Sequence, residues 1–299
     1  MTGLEAFTAP GRFLRGNIHT HSDRSDGALP PETVCRRYEN AGYDFLCLSD
    51  HFLERFGFPV TDTTSFRTNR LTTLPGAELH APQNSHGDIW HLVAVGLPMD
   101  FAATGADEDA VGLARRAVEA GAFLAIAHPQ WSSLTVEDGR SMAGIAHAVE
   151  IYNTGCEVEC GRGDGNALLD QLLNEGYRLS GYAADDAHFK IPDHFGGWMM
   201  LKAEANEPDL ILDAMKAGRY YASQGPEIHD IALDDGQAII RSTPACVYSL
   251  VGRGCRAECV AGEQMTRGEL PLEAFRGDWL RIVVADAAGN RAWSNPIWL

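Results

Sequence analysis

The chain contains eleven histidines, and the positions of six say more than their number. His19-Thr20-His21 closes a short apolar run, and Asp26 follows in Ser-Asp-Gly. Asp50-His51, Glu78, His91, His128 and Asp186-Ala187-His188 each stand at or just after a further apolar run. A single histidine in such a place is ordinarily a hydrogen-bonded core or surface residue. Six imidazoles with three carboxylates (Asp26, Glu78, Asp186) at one end of successive strands are another matter. Their desolvation and mutual repulsion would be costly without compensation. Divalent cations supply it, because neutral imidazoles give nitrogen ligands and a carboxylate can bridge two ions. In His-x-His on an extended segment, residues i and i+2 point the same way, so both rings can reach one ion.

Other residues are weaker candidates. His80 and His86 lie in a polar His-Ala-Pro-Gln-Asn-Ser-His-Gly stretch read as a solvated loop, and His147, His194 and His229 are read as structural. Arg162, Arg219 and Lys190 could hold a phosphate by charge-assisted hydrogen bonds, against the plainer reading of solvated surface cations. Cys156/Cys160 and Cys255/Cys259 share a CxxxC spacing without a zinc-knuckle flank, so the seven cysteines are expected to be reduced thiols. The absence of a Gly-x-Ser-x-Gly elbow and of a Walker loop argues against serine hydrolases and nucleotide motors.

The elements that must carry these residues alternate. Strands are expected near 14–19, 45–49, 72–77, 91–96, 123–127, 149–152, 179–183 and 198–203. Helices are expected over 31–39, 107–119, 165–174 and 208–216, with Pro31 in a first turn and Gly176 and Gly218 as left-handed caps. Such alternation implies a mostly parallel α/β sheet or barrel, whose strand ends form the site. Beyond about residue 225 the helical pattern stops and turn signals recur, as in a small antiparallel β appendage.

The 24 Lys+Arg against 41 Asp+Glu give a net charge of −17. That balance argues against duplex nucleic acid as a partner. It leaves room for an anionic substrate where bound cations reverse the local field. No segment approaches the roughly 20 apolar residues of a membrane span. The N-terminus lacks a basic region followed by an apolar stretch, so a cytoplasmic location is expected.

The ordered motifs HTHSDRSDG, LCLSDH, GAE, IAHP and DDAH resemble those of the PHP family, named for polymerase and histidinol phosphatase. The resemblance covers about residues 15–225. It implies a distorted seven-stranded (β/α) barrel over 1–225, and the turn-rich pattern beyond it makes 226–299 a small antiparallel, sandwich-like β domain. The resemblance also implies two or three divalent transition-metal ions (Mn, Fe or Zn). By position it makes His19, His21, Asp26, His51, Glu78, His91, His128, Asp186 and His188 the candidate ligands. AVEIYN, GRYYASQGP and AWSNPIWL are similar to the CehA/McbA-type metallohydrolase branch.

The leading expectation is therefore a phosphoesterase that uses a metal-activated hydroxide on a small phosphate ester. Glu78 is the candidate bridging ligand, His128 or His188 the candidate proton donor to the leaving group, and Asp50 the residue expected to orient an imidazole. Alternation along Asp185-Asp186-Ala187-His188, together with the family's Asp-x-His pattern, selects Asp186 rather than Asp185 as the ligand. The alternatives are a carboxyl or carbamate ester hydrolase of the CehA/McbA type, and a non-catalytic barrel that binds a partner through its β appendage.

Overall fold

The computed structural model describes residues 3–299. A short helix α1 (Glu5–Thr8) precedes β1 (Arg12–Asn17), α2 (Pro31–Asn40), β2 (Phe45–Cys47) and β3 (His51–Phe52). Next come β4 (Thr72–Leu74), β5 (Gly76–Ala81), β6 (Trp90–Val95), α3 (Ala110–Glu119), β7 (Phe123–Ile126), α4 (Val136–Ala143) and β8 (Ala148–Asn153). They are followed by α5 (Thr154–Cys160), α6 (Asn166–Asn174), β9 (Ser180–Ala184), β10 (Trp198–Ala203), α7 (Pro208–Lys216) and β11 (Tyr220–Ser223). From Ile228 the chain is mostly strand: β12 (Ile228–Asp234), β13 (Gln237–Gly252), β14 (Ala257–Pro271), β15 (Trp279–Ala285), β16 (Arg291–Trp293) and β17 (Ile297–Trp298).

Local chemistry explains the helix starts. Proline occupies the first turn of α2 and of α7, where a missing N–H costs little. The Asp109 side chain accepts from Gly112 N–H to start α3, and Thr135 with Asp138 forms a capping box for α4. Neither α4 nor α5 is among the helices expected from the sequence; both are short, of eight and seven residues.

The strands form two open sheets. One runs β12-β13-β15-β16-β11-β10-β1-β2-β4, with β14 and β17 paired at its side; the other runs β3-β5-β6-β7-β8-β9. A closed seven-stranded barrel is thus not formed, since neither sheet closes on itself. A lone parallel bridge, Thr20 to Ala187, links the strand ends of the two sheets. The expected mostly parallel order is also broken, for β6 runs antiparallel to both β5 and β7. The β5–β6 connection, residues 82–89, is shorter than the roughly dozen-residue crossover that parallel neighbours need.

Alternation along the strands sorts their two faces. In the six-stranded sheet Ala77, Leu79, Leu92, Ala94, Leu124, Ile126, Val149, Ile151 and Ala183 pack in a core that also takes in α3, α4 and α6. Val93, Val95, Phe123, Ala125, Ala148, Tyr182 and Ala184 face Leu14, Ile18, Phe45 and Leu201 of the other sheet. The interior between the sheets is therefore filled, and polar residues on the same faces, one or two positions along, can only collect at its rim.

The eleven-stranded sheet passes through residue 225 without a break, because β16 pairs with β11 (Ala222 opposite Trp293). Trp279 and Trp293 belong to the same core as α6 and β9. No helix among the described residues is long and apolar enough to cross a membrane.

Candidate metal centre

Alternation places most of the cluster. Glu78 and His80 lie on β5 on the face opposite Ala77 and Leu79, and the antiparallel register sets His91 across from His80. His51 pairs in register with Glu78, and its neighbour Phe52 turns outward into the helix-covered core. Because β6 is antiparallel, the start of this strand, not its end, reaches the rim. Glu150, two residues beyond inward-facing Ala148, points to the same interior.

The remaining members depend on departures from extended geometry. Asn17 Oδ1 accepts the His19 N–H at 2.9 Å, a turn that re-aims the chain after β1. His128 and Asp186 have φ of 23° and 54°, which turns them at the ends of β7 and β9. Asp26 sits in a tight loop closed by Gly27 N–H to Ser22 O; a Cβ on Gly27 would come within 2.7 Å of the His21 backbone, so the loop requires glycine.

Seven imidazoles result, six of them around the buried Glu78 and the seventh, His188, beside Asp26 and Asp186. Glu78 lies 2.5 Å from His51 Nδ1, 2.7 Å from His91 Nδ1 and 3.1 Å from His128 Nε2. Asp186 Oδ1 lies 2.9 Å from His21 Nε2 and 3.2 Å from His19 Nε2. Asp26 Oδ1 lies 3.3 Å from His51 Nε2 and 3.2 Å from His188 Nε2. All nine sequence-derived candidates fall into five overlapping donor groups, each with its ligand atoms within 4.8 Å of one another, and Glu78 joins three of them.

Burial opposes charge throughout the cluster; charged partners overcome it at some residues and not at others. At His19, Asp186 and Glu150 outweigh burial and hold the pKa well above its ordinary value. At His51, Glu78 and Asp26 do the same and raise it to about 10. Burial and repulsion from His51 and His188 push His21 down to about 3, and burial chiefly lowers His91 to about 4. Despite burial, His91, His51 and His80 hold Glu78 well below the usual carboxylate range, and His19 and His21 do so for Asp186. Two deeply placed carboxylates thus stay anionic, a field suited to cations.

The donors fit divalent ions on a further observation. His21 Nδ1 and His80 Nδ1 are buried and have no hydrogen-bond partner, and His19 Nε2 and Glu78 Oε2 lie close to Asp186 and His51 without hydrogen-bond geometry. Buried polar atoms are otherwise satisfied almost everywhere in folded proteins. At His19 the Nδ1 is 2.9 Å from Glu150 Oε1, which fixes a proton on Nδ1, so that Nε2 would offer its lone pair to a cation that displaces the second proton. His188 Nδ1, 3.0 Å from the Asp186 carbonyl oxygen, turns Nε2 toward Asp26, 3.2 Å from its Oδ1.

Several expectations need correction. Asp50 orients no imidazole: its carboxylate accepts from Ser22 N–H and from the hydroxyls of Ser22, Ser25 and Thr61, so it shapes the loop that carries Asp26. His80 is not a solvated loop residue, because β5 extends to Ala81 and buries it 2.9 Å from His51 Nδ1. His86 is exposed. Arg219 does not line the cavity over the cluster, whereas Arg55, Arg162 and Lys190 do. Glu150 and Asn153 were missed. Glu150 also accepts the His128 N–H at 2.7 Å, and Asn153 Nδ2 donates to both Glu150 and Asp186. A glutamate inside the apolar run Ala-Val-Glu-Ile was the available signal, since a charge there must be compensated.

Fold and site together define an α/β protein with a multi-donor centre at strand ends. Its fold is PHP-like, as the ordered motifs implied. The chain is similar to a two-domain protein from Bacteroides vulgatus that contains a predicted PHP-like metal-dependent phosphoesterase, at 16% identity and a TM-score of 0.54, over 94% of each chain. It is also similar to PsfC from Pseudomonas syringae (14% identity, TM-score 0.44, 68% of this chain and 87% of that one). An amidohydrolase from Chromobacterium violaceum matches at 14% identity and a TM-score of 0.40, over 60% of this chain and 89% of that one. No family model and no curated protein matches the chain.

Proposed function

We propose that the protein is a metal-dependent hydrolase of small phosphate esters. One observation carries this reading: buried imidazoles and carboxylates collect around Glu78 with donor atoms left unpaired, and their neighbours His51, His91, His128, Asp186 and His188 line a cavity of about 1000 Å3. The PHP-like fold, which the chain shares with a protein described as a predicted phosphoesterase, supports it. His19, His21, Asp26, His51, Glu78, His91, His128, Asp186 and His188 would hold two or more ions, with His80 as a further donor. When bound, divalent ions such as Mn, Fe or Zn supply charge neutralisation for phosphoryl oxygens and a water of lowered pKa.

The chain's own residues supply the rest. Arg55, Arg162 and Lys190 on the cavity wall offer charge-assisted hydrogen bonds to the ester's oxygens, in a protein whose net charge otherwise repels anions. Glu150 and the Asp186 carbonyl fix the ring orientations of His19 and His188. His128, whose Nδ1 is 3.0 Å from Ser132 Oγ, and the more exposed His188 are the candidates for protonating a leaving oxygen, a role open to whichever of the two holds no ion.

The test is metal analysis of the purified protein joined to parallel assays on p-nitrophenyl phosphate, its bis-ester and a naphthyl carbamate. Two or more ions per loaded chain, and phosphate-ester turnover abolished by chelation, are expected. Chelation should also lower the melting temperature, because ions that bind only the native state stabilise it. One ion or fewer per loaded chain, or a preference of orders of magnitude for the carbamate, would overturn the reading.

A further inference from the structure

The described residues include seven exposed large hydrophobic side chains, and three of them, Ile89, Trp131 and Ile191, line the cavity over the candidate metal centre. They come from three separate loops: the β5–β6 connection, the turn after β7 and the segment beyond His188. No single element's packing therefore accounts for their meeting at one cavity. Exposed apolar side chains scattered singly need no explanation, but their concentration at a concave site marks a binding surface.

Trp131 is the fixed member. It sits at the tip of a turn closed by Ser132 N–H to His128 O at 3.1 Å and Leu134 N–H to Pro129 O at 2.9 Å. Gln130 Oε1 accepts the Asp164 N–H at 3.0 Å and ties the turn to the α5–α6 connection. The indole stands edge-on to His128 and His91, with ring centroids 5.0 and 5.6 Å away, yet it remains 39% exposed. The turn that delivers a candidate ligand therefore also holds an aromatic surface beside it. The cavity, about 1000 Å3, is far larger than a phosphoryl group and lies at the upper end of small-molecule sites.

We propose that Trp131, with Ile89 and Ile191, forms a subsite for a planar aromatic leaving group, so that the substrates are aryl-bearing phosphate esters. This rests on the phosphoesterase reading and extends it. Hydrolysis breaks the P–O bond to that group. Water supplies the oxygen that stays on phosphorus and the proton that leaves with the aryl alcohol.

The test is calorimetric binding of 1-naphthylmethylphosphonate and of methylphosphonate to the metal-loaded protein, alongside turnover of 1-naphthyl phosphate and methyl phosphate. The naphthyl compound should bind about tenfold tighter or more, and Trp131→Ala should erase most of that ratio. Trp131→Phe, which keeps a ring and guards against a collapsed turn, should retain most of it. Leu210→Ala, which removes an exposed hydrophobe on α7 outside the cavity, should leave the ratio unchanged. Equal affinities in the wild-type protein, or a ratio untouched by Trp131→Ala, would overturn the subsite while phosphate-ester turnover keeps the phosphoesterase reading. Absence of both phosphonate binding and phosphate-ester turnover would overturn both.

Discussion

At the scale of residues, the centre depends on groups that hold the imidazoles as much as on the imidazoles themselves. Glu150 fixes the proton of His19 and anchors the backbone of His128. Glu150→Gln should leave a folded protein that binds its ions about 10–100-fold more weakly, because losing such an orienting carboxylate has that cost. Titration against a competing chelator measures this, and an unchanged affinity would remove Glu150 from the site. The adjacent aspartates divide in the same manner. Asp186 faces the imidazoles, whereas Asp185 accepts hydrogen bonds from Tyr38 and Thr154 hydroxyls and from the N–H groups of Phe195, Gly196 and Gly197. Asp186→Ala should lose at least one ion. Asp185→Ala should keep the wild-type ion count but lose roughly 2–5 kcal/mol of stability, since it strands buried donors. The reverse pattern of ion counts would exchange their roles.

Among the elements, α4 links the rim to the scaffold. Asp138 accepts from Thr135 N–H within the capping box and from Ser85 N–H and hydroxyl in the β5–β6 connection. Burial alone would raise its pKa, but the hydrogen bonds from Ser85 and Thr135 hold it below the ordinary value. A depressed carboxyl pKa contributes stability above the unfolded value, near about 4, and loses it as pH falls through the folded one. Asp138→Ala should therefore cost about 1–2 kcal/mol near neutral pH. The gap to wild type should stay level down to about pH 5 and close below about pH 4. Denaturant melts at several pH values test this, and a gap that widens in acid would contradict it. β5 also runs beyond the expected strand end at residue 77, to Ala81, so His80 is part of the strand and shares a face with Glu78, as their spacing of two requires.

On the scale of the whole molecule, the C-terminal strands belong to the architecture of the centre. Arg281 of β15, almost fully buried, pairs with Asp170 of α6 through two contacts of 2.8 Å. Asn295 accepts from Gly181 N–H on β9 and donates to the carbonyls of Gly218 and Tyr220. A chain ending at residue 225 would expose the apolar surface beneath Trp279 and Trp293 and free the edge of β11. It should fail to unfold cooperatively or to bind metal, as judged by calorimetry and metal analysis. A cooperative, metal-binding product would show that residues 1–225 fold alone. In the full chain, Asp170→Ala should destabilise by about 3 kcal/mol or more, because it leaves the Arg281 charge buried without its partner. Asp170→Ala with Arg281→Leu should recover part of the loss.

What the sequence by itself determined is what short-range geometry controls. A two-residue period along β5 and β6 sets Glu78 and His91 on inward faces, whereas Asp186 parts from Asp185 through the left-handed turn at its φ of 54°. Proline and capping residues started α2, α3 and α7, and the motif order carried the PHP-like fold. Tertiary structure alone decided which distant groups meet. Glu150 reaches His19 across 131 positions, and Asp50 spends its oxygens on Ser22, Ser25 and Thr61, not on its neighbour His51. The antiparallel turn of β6, the open sheets in place of a closed barrel and the joining of β11 to β16 were likewise settled by pairing between strands. The reason is physical: side-chain alternation follows from the backbone of one strand, whereas pairing and register depend on burial and hydrogen bonding summed over partners far away in sequence.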